Sequence, residues 1–170
     1  MKLQTIAVLV FLLPLSAFSA NTSPPSPAGE YSKHFAALRK LSIAVAESMP
    51  ADQYSFRPHP ESMDFGQLML HIATTNYQFC AGLKDSDSPK LASATGKVAI
   101  VNRLTDSFNY CSTVIPNLTE EQLSNVHNSP DGNLPGRDIL LVMYIHVAHH
   151  RGQAEIYLRD KGIQPPGYMI

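Results

Sequence analysis

Apolar side chains recur every three or four residues in four long stretches of this 170-residue chain, a spacing typical of amphipathic helices. The stretches span about residues 30–49, 64–83, 97–115 and 137–161. Prolines and polar segments separate them, and proline cannot continue a regular helix. No other segment alternates apolar and polar residues for long enough to predict a strand. We therefore predict an all-α fold, a four-helix bundle.

The expected helix ends carry local signals. Asp64 precedes the second helical stretch and is predicted to be its N-cap. Thr119 and Gln122 have the spacing of a capping box, which predicts a short additional helical turn. Gly162 follows the last stretch, where a helix C-terminus favours a left-handed residue, and two prolines come soon after it.

The first residues have the composition of a secretory signal peptide. Lys2 provides a basic start, Ile6 to Leu13 form an apolar run, and small residues follow up to Ala20. The run is too short to span a membrane, which takes about 20 residues. An N-terminal helix buried in the domain is the alternative. We predict a signal peptide over residues 1–20, cleaved after Ser19 or Ala20, and hence a periplasmic or secreted protein.

After this segment we predict a Pro/Ser-rich linker over residues 21–29 and one domain over residues 30–170. No cysteine lies near the cleavage site, so we expect no stable membrane anchor. The formal net charge is −1 and no basic run exceeds two residues, which argues against nucleic acid as a partner. A small molecule is the expected ligand, and the sequence leaves open whether the protein is a homodimer.

Cys80 and Cys111 are the two cysteines of the chain and permit one disulfide in an exported protein. Each lies about 14 residues into its predicted helix. The two sulfurs would therefore lie at the same height only if those helices run parallel, because each residue advances a helix by about 1.5 Å. Two buried free thiols are the alternative.

The segment MYIHVAHHRGQ near the C-terminus contains two histidines one helical turn apart. With about 100° per residue, His146 and His150 both fall on the apolar stripe of the last helix, whereas His149 falls towards its edge. Buried imidazoles need partners for both ring nitrogens. Two histidines at i and i+4 can satisfy this need by sharing a metal ion, and hydroxyl groups or waters are the alternative partners.

A third inward histidine comes from the second helix. His71, in GQLMLHIA, lies among apolar residues on the predicted inner face. Three histidines on two helices would supply the protein ligands of an open metal site, with a position left for water or substrate. We do not expect ligands at the remaining histidines, which are predicted to lie on a helix surface, between prolines or in a loop: His34, His59 and His127.

These two segments, GQLMLHIA and HVAHHRGQAEIYLRDKGIQPPGY, resemble the DinB-like superfamily of helical-bundle metalloenzymes, and the resemblance extends from Glu30 to Tyr168. It implies up-down-down-up helices with a long crossover between the second and third. It also implies one divalent ion, such as zinc or nickel, on His71, His146 and His150. Some such proteins transfer small thiols or isomerise substrates with a thiol cofactor. Export would separate this protein from the intracellular thiol pool.

We therefore predict a metal-dependent hydrolase or a transferase of thiols or small groups. A non-catalytic, metal-stabilised bundle that binds a small ligand is the alternative. The sequence identifies no general base. Gln153 could orient a ligand or pack against a helix, and Tyr54 and Arg57 could line the mouth of the site or serve in packing and at the surface. A di-iron bundle is disfavoured because its Glu-x-x-His motifs are absent.

Overall fold

The computed structural model describes residues 27–168. The elements are helices α1 (Pro27–Ser48), α2 (Phe65–Gly82), α3 (Gly96–Val114), α4 (Glu120–Ser124) and α5 (Gly136–Asp160), and strands β1 (Val126–Ser129) and β2 (Gly132–Pro135). The predicted signal peptide and residues 21–26 of the predicted linker lie outside the described residues. The last linker residues belong instead to α1, which begins at Pro27, since proline suits the first turn of a helix.

The predicted N-terminal caps of α2 and α4 are confirmed. Asp64 accepts a hydrogen bond from the backbone N–H of Gln67, whose side chain accepts one from the Asp64 backbone. Thr119 and Gln122 form the same reciprocal pair in front of α4. Each box satisfies two backbone donors that a helix N-terminus leaves free, so both helix starts are local properties of the sequence.

The prediction of a purely α-helical fold is wrong in one place, a short hairpin between α4 and α5. Strands β1 and β2 pair antiparallel, with Ser129 opposite Gly132. Each strand has four residues, too few for an alternating pattern to be recognised. The turn signal was present in Asp131 and Gly132, and Gly132 adopts a φ of 100° that favours glycine.

Helices α2 and α3 run in the same direction. Gly66, early in α2, lies against Ile100, early in α3. Near the far ends of both helices, Cys80 and Cys111 form a disulfide with their Cα atoms 5.5 Å apart. The disulfide predicted for the parallel arrangement is therefore confirmed. The polar segment between the two helices must return along their length to make this arrangement.

Helices α2 and α5 run in opposite directions, which is the relationship that builds the site. The ring of Phe65, at the start of α2, lies 6.4 Å from that of Tyr157, near the end of α5. Towards the other end, the sulfur of Cys80 lies 3.9 Å from that of Met143. Residues in the middle of one helix therefore face the middle of the other.

Helix α1 closes the core against α3 and α5. Its Phe35 packs against Phe108 of α3 with ring centroids 5.3 Å apart, and its Tyr31 contacts Tyr144 of α5 edge-on. Large apolar side chains from all four long helices are fully buried together. Across residues 27–168, no helix combines the length and apolar character that a membrane span would need.

Candidate metal centre

The antiparallel pair of α2 and α5 brings three histidine rings together. The Nε2 atom of His71 lies 3.1 Å from Nε2 of His150 and 3.0 Å from Nε2 of His146. One ligand atom from each ring lies within 4.8 Å of the others, and all three side chains are partly buried. The three residues that the sequence predicts as metal ligands therefore converge on one point through their Nε2 atoms.

Gln153 determines which nitrogen of His150 faces this point. Its Oε1 lies 2.8 Å from Nδ1 of His150, one turn earlier on the same helix. An amide oxygen only accepts, so Nδ1 carries the proton and donates it. The neutral His150 ring then has a bare Nε2. Gln153 thus fixes the ring orientation and leaves the other nitrogen free for a metal.

Thr75 can do the same for His146 across the helix pair. Its hydroxyl oxygen lies 3.4 Å from Nδ1 of His146. The hydroxyl proton is directed to backbone carbonyls of α2, those of His71 and Ile72 at 2.9 and 3.1 Å. The oxygen can therefore accept from Nδ1–H of His146. This arrangement leaves Nε2 of His146 bare as well.

The number of protons available to the three Nε2 atoms then favours a cation at the centre. His146 and His150 both present a lone pair to Nε2 of His71, which can donate only one proton to one of them. One close contact would therefore join two lone pairs. An ion with Zn–N distances of about 2.0–2.1 Å and tetrahedral angles would hold its nitrogens about 3.3 Å apart, close to the observed spacing. The donor set fits a divalent ion.

Burial keeps these imidazoles in the neutral form that binds metal. Burial, followed by the charges of neighbouring histidines, lowers the pKa of His146 from 6.5 to about 4. Burial also lowers the pKa of His71. It lowers the pKa of His150 too, although the hydrogen bond with Gln153 acts in the opposite direction. All three rings are therefore neutral near pH 7, so a metal need not displace protons from them.

The centre opens into a cleft of about 540 Å³ between α2 and the turn of the β-hairpin. His71 and His146 lie in its wall, together with Thr74 and Gln78 from the exposed side of α2. Phe79 forms an apolar part of the wall and meets the His146 ring edge-on at 5.8 Å. A small molecule can therefore reach His71 and His146 from this side.

Three further histidines, none of them predicted to be a ligand, do not join the centre. His149 is exposed, although its ring lies 5.0 Å from that of His150, which agrees with the edge position predicted for it. His34 and His59 are exposed on α1 and in the proline-containing segment before α2. Among the described residues, only His71, His146 and His150 form a group of three or more potential ligands.

His127 is not a ligand, but the prediction of a simple loop residue is wrong. It lies on β1 and is 3% exposed. Its Nδ1 lies 2.8 Å from a carboxylate oxygen of Asp85, and its Nε2 lies 2.7 Å from the carbonyl oxygen of Gln122. Both nitrogens face acceptors, which is the environment of a protonated ring. His127 thereby ties the hairpin to the C-terminal end of α2.

The two residues considered for the mouth of the site have other roles. The side chain of Tyr54 is buried, donates to the carbonyl oxygen of Ala46 and packs against Phe65. Arg57 is exposed and pairs with Asp64 at 3.5 Å. Both therefore support the segment before α2. Gln153, in contrast, acts directly on one of the three histidines.

Comparison with known proteins agrees with this architecture. The sequence profile of the DinB superfamily matches residues 34–154, which include all three histidines. The uncharacterized protein YjoA of Bacillus subtilis is 26% identical over 134 residues, which cover 76% of this chain and 87% of YjoA. The superfamily match therefore contains most of the helical domain and the candidate centre.

Solved structures give the same result. The crystal structure of YjoA, described as DinB-like, superposes with a TM-score of 0.72 at 25% identity, and the match covers 82% of this chain and 98% of YjoA. A DinB-like protein of Bacillus cereus superposes with a TM-score of 0.62 at 17% identity, and the match covers 82% of this chain and 95% of that protein. A conserved protein from Enterococcus faecalis superposes with a TM-score of 0.65 at 17% identity, and the match covers 79% of this chain and 96% of that protein. The last two are similar in fold alone.

Proposed function

This chain belongs to the DinB superfamily, and on that basis we propose that it is a metal-dependent enzyme whose three histidines hold one divalent ion. The observation that carries the proposal is the convergence of three Nε2 atoms at 3.0–3.1 Å, two of them on rings whose Nδ1 atoms face acceptors. Zinc or nickel is the ion that we propose, because imidazole suits both. The reaction class is hydrolysis or the transfer of a thiol or small group.

A divalent ion with three neutral ligands keeps its full charge, so it can polarise a carbonyl or lower the pKa of a water or thiol that it binds. The surrounding residues would prepare the site for this role. Gln153 and Thr75 hold the rings in one orientation. Phe79 shields one side of His146. The cleft beside α2 admits the substrate.

We further propose that the four long helices act as the up-down-down-up bundle of this superfamily. The disulfide between α2 and α3 and the antiparallel contacts of α2 with α5 support this order. It matters for function because both ligand-bearing helices are then rigid elements of one core. Rigid placement is what a preorganised metal site needs.

Export to the periplasm or outside the cell is also part of the proposal. Its support is the signal-like composition of residues 1–20, together with the disulfide, which persists in oxidising compartments. Residues 1–25 fused to a reporter that matures only outside the cytoplasm should direct export. The mature protein should begin at Ala20 or Asn21, and an intact N-terminus on the soluble protein would contradict this.

One experiment tests the enzyme proposal against simple ligand binding. The purified protein, stripped and reloaded with zinc or nickel, is assayed on a panel of esters, amides and thiol-reactive electrophiles. An enzyme should turn over a member of the panel, lose activity with a chelator and regain it with metal. A metal-stabilised binder should show only a chelator-dependent shift in Tm. If His150→Ala retained full metal content, the proposed centre would be wrong.

A further inference from the structure

One acidic residue, Asp131, lines the cleft beside His71 and His146. Asp131 lies at the hairpin turn, opposite the α2 wall formed by Thr74 and Gln78. Its backbone N–H lies 3.3 Å from the Ser129 hydroxyl, which places the residue at the tip of the turn. No hydrogen bond or ion pair to its carboxylate occurs within residues 27–168.

The hairpin that carries Asp131 is firmly attached. Gly82 of α2 packs so closely against the carbonyl oxygen of Asn128 that a Cβ atom there would overlap it. His127, on the same strand, is buried and bonded to Asp85 and to the Gln122 carbonyl. The turn is therefore a fixed wall of the cleft rather than a free loop tip.

Asp131 is the one side chain in the described lining of the cleft to which we assign a charge. The described lining contains neither lysine nor arginine, so the ion proposed on the histidines is the one positive charge assigned to the cleft. A second cleft of about 630 Å³ adjoins it, sharing Gln78 and Pro130, and its lining includes Asp85 and Asp87 but again no basic residue. Beyond the proposed ion, a ligand that extends from the histidines thus meets acceptors and carboxylates, and neither described lining offers a lysine or arginine to pair with an acidic group.

We propose that Asp131 is a specificity residue, which selects ligands that bear an ammonium or similar cation close to the group placed at the three histidines. The inference rests on the proposed metal function and extends it to a substrate class, amine-bearing compounds. Among ligands that bind the ion through the same group, a second group that is anionic is disfavoured, because Asp131 repels it in this cleft. Since the carboxylate is exposed, the selectivity is modest, about threefold for one screened charge pair.

The test uses three hydroxamates of nearly equal size as probes of the cobalt-loaded protein: β-alanine hydroxamate, butyrohydroxamate and succinate monohydroxamate. The first is cationic, the second neutral and the third anionic. Binding is followed by the visible absorption of the cobalt ion. The cationic probe should bind about threefold more tightly than the neutral probe. The neutral probe should in turn bind about threefold more tightly than the anionic probe. High salt should weaken both preferences.

Asp131→Asn should bring both ratios close to one without loss of cobalt, and Asn suits the turn before Gly132 as well as Asp does. Asp106→Asn, an exposed change on α3 outside both clefts, should retain the wild-type ratios. Equal binding of the three probes, or a preference that survives in Asp131→Asn, would overturn the inference while leaving the metal proposal intact. Failure of the wild-type protein to bind cobalt would overturn both.

Discussion

Nδ1 of His150 lies 2.8 Å from Oε1 of Gln153, so a side chain that binds no metal sets the orientation of one that does. Loss of such an outer hydrogen bond commonly weakens metal affinity by about 10- to 100-fold. Gln153→Leu should therefore bind zinc at least about tenfold more weakly than wild type. The measurement is a competition titration with a chromophoric chelator. Gln164→Leu, exposed beyond α5, is the control and should bind normally.

Substitution of any of the three converging histidines should weaken zinc binding far more than substitution of their neighbour His149. Alanine at His71, His146 or His150 should lower zinc affinity by more than about a hundredfold, because each removes a ligand rather than its support. His149→Ala should change it only slightly, since that side chain is exposed. Metal content after dialysis against a weak chelator measures this. If His149→Ala were the most damaging of the four, the assignment of ligands would be wrong.

The bond between His127 and Asp85 should make stability depend on pH. Burial lowers the pKa of His127, but the hydrogen bonds to Asp85 and to the Gln122 carbonyl outweigh it, so the pKa is raised above 6.5. The stabilisation is therefore complete below about pH 6.5, the unfolded value, and is lost as pH rises through the raised folded value. Because Asp85 is largely exposed, we expect at most about 1 kcal/mol.

Urea unfolding of wild type and Asp85→Asn between pH 6 and 9 measures this contribution. Asn tolerates the positive φ of 50° at position 85, so the substitution removes charge without backbone strain. The difference in unfolding free energy should be largest at pH 6 and shrink towards pH 9. Asp87→Asn, exposed in the same segment, should give a difference that does not vary with pH. A constant difference for Asp85→Asn would contradict the protonated His127.

Substitution by alanine should have opposite effects on protein stability at two helical glycines. At Gly82 the added Cβ would overlap the Asn128 carbonyl oxygen, so Gly82→Ala should destabilise the protein by about 1–3 kcal/mol and displace the hairpin. At Gly152 nothing lies within 4 Å of the added atom, and Gly152→Ala should stabilise the protein by about 0.5–1 kcal/mol. Thermal unfolding of both variants tests the close packing of the hairpin on α2.

The Cys80–Cys111 disulfide should contribute substantially to stability. Its closed loop has a sequence separation of 31 residues, for which chain entropy predicts about 3–4 kcal/mol. The double variant Cys80→Ala with Cys111→Ala should lose about this much in urea unfolding. Thiol titration of the unfolded, unreduced wild type should detect no free thiol. Two free thiols per chain would contradict the bridge.

Local sequence determined most of the helical architecture. The caps at Asp64 and Thr119 and the periodicity of apolar residues depend on neighbours within a few positions, and these predictions are confirmed within a few residues. The i, i+4 spacing of His146 and His150 likewise places two imidazoles on one face before any packing is known. Short-range geometry is sufficient for such features, because a helix relates residues three or four apart by a fixed rotation.

Tertiary structure determined which residues from distant parts of the chain come into contact. His71 and His150 are 79 positions apart in the chain, and only the antiparallel packing of α2 on α5 brings their Nε2 atoms within 3.1 Å. The hairpin, the burial of His127 and the position of Asp131 in the cleft were likewise not predicted. Each depends on contacts between distant segments, such as β1 against Gly82, which no local pattern encodes. The sequence thus determined the individual helices, whereas packing between them assembled the site.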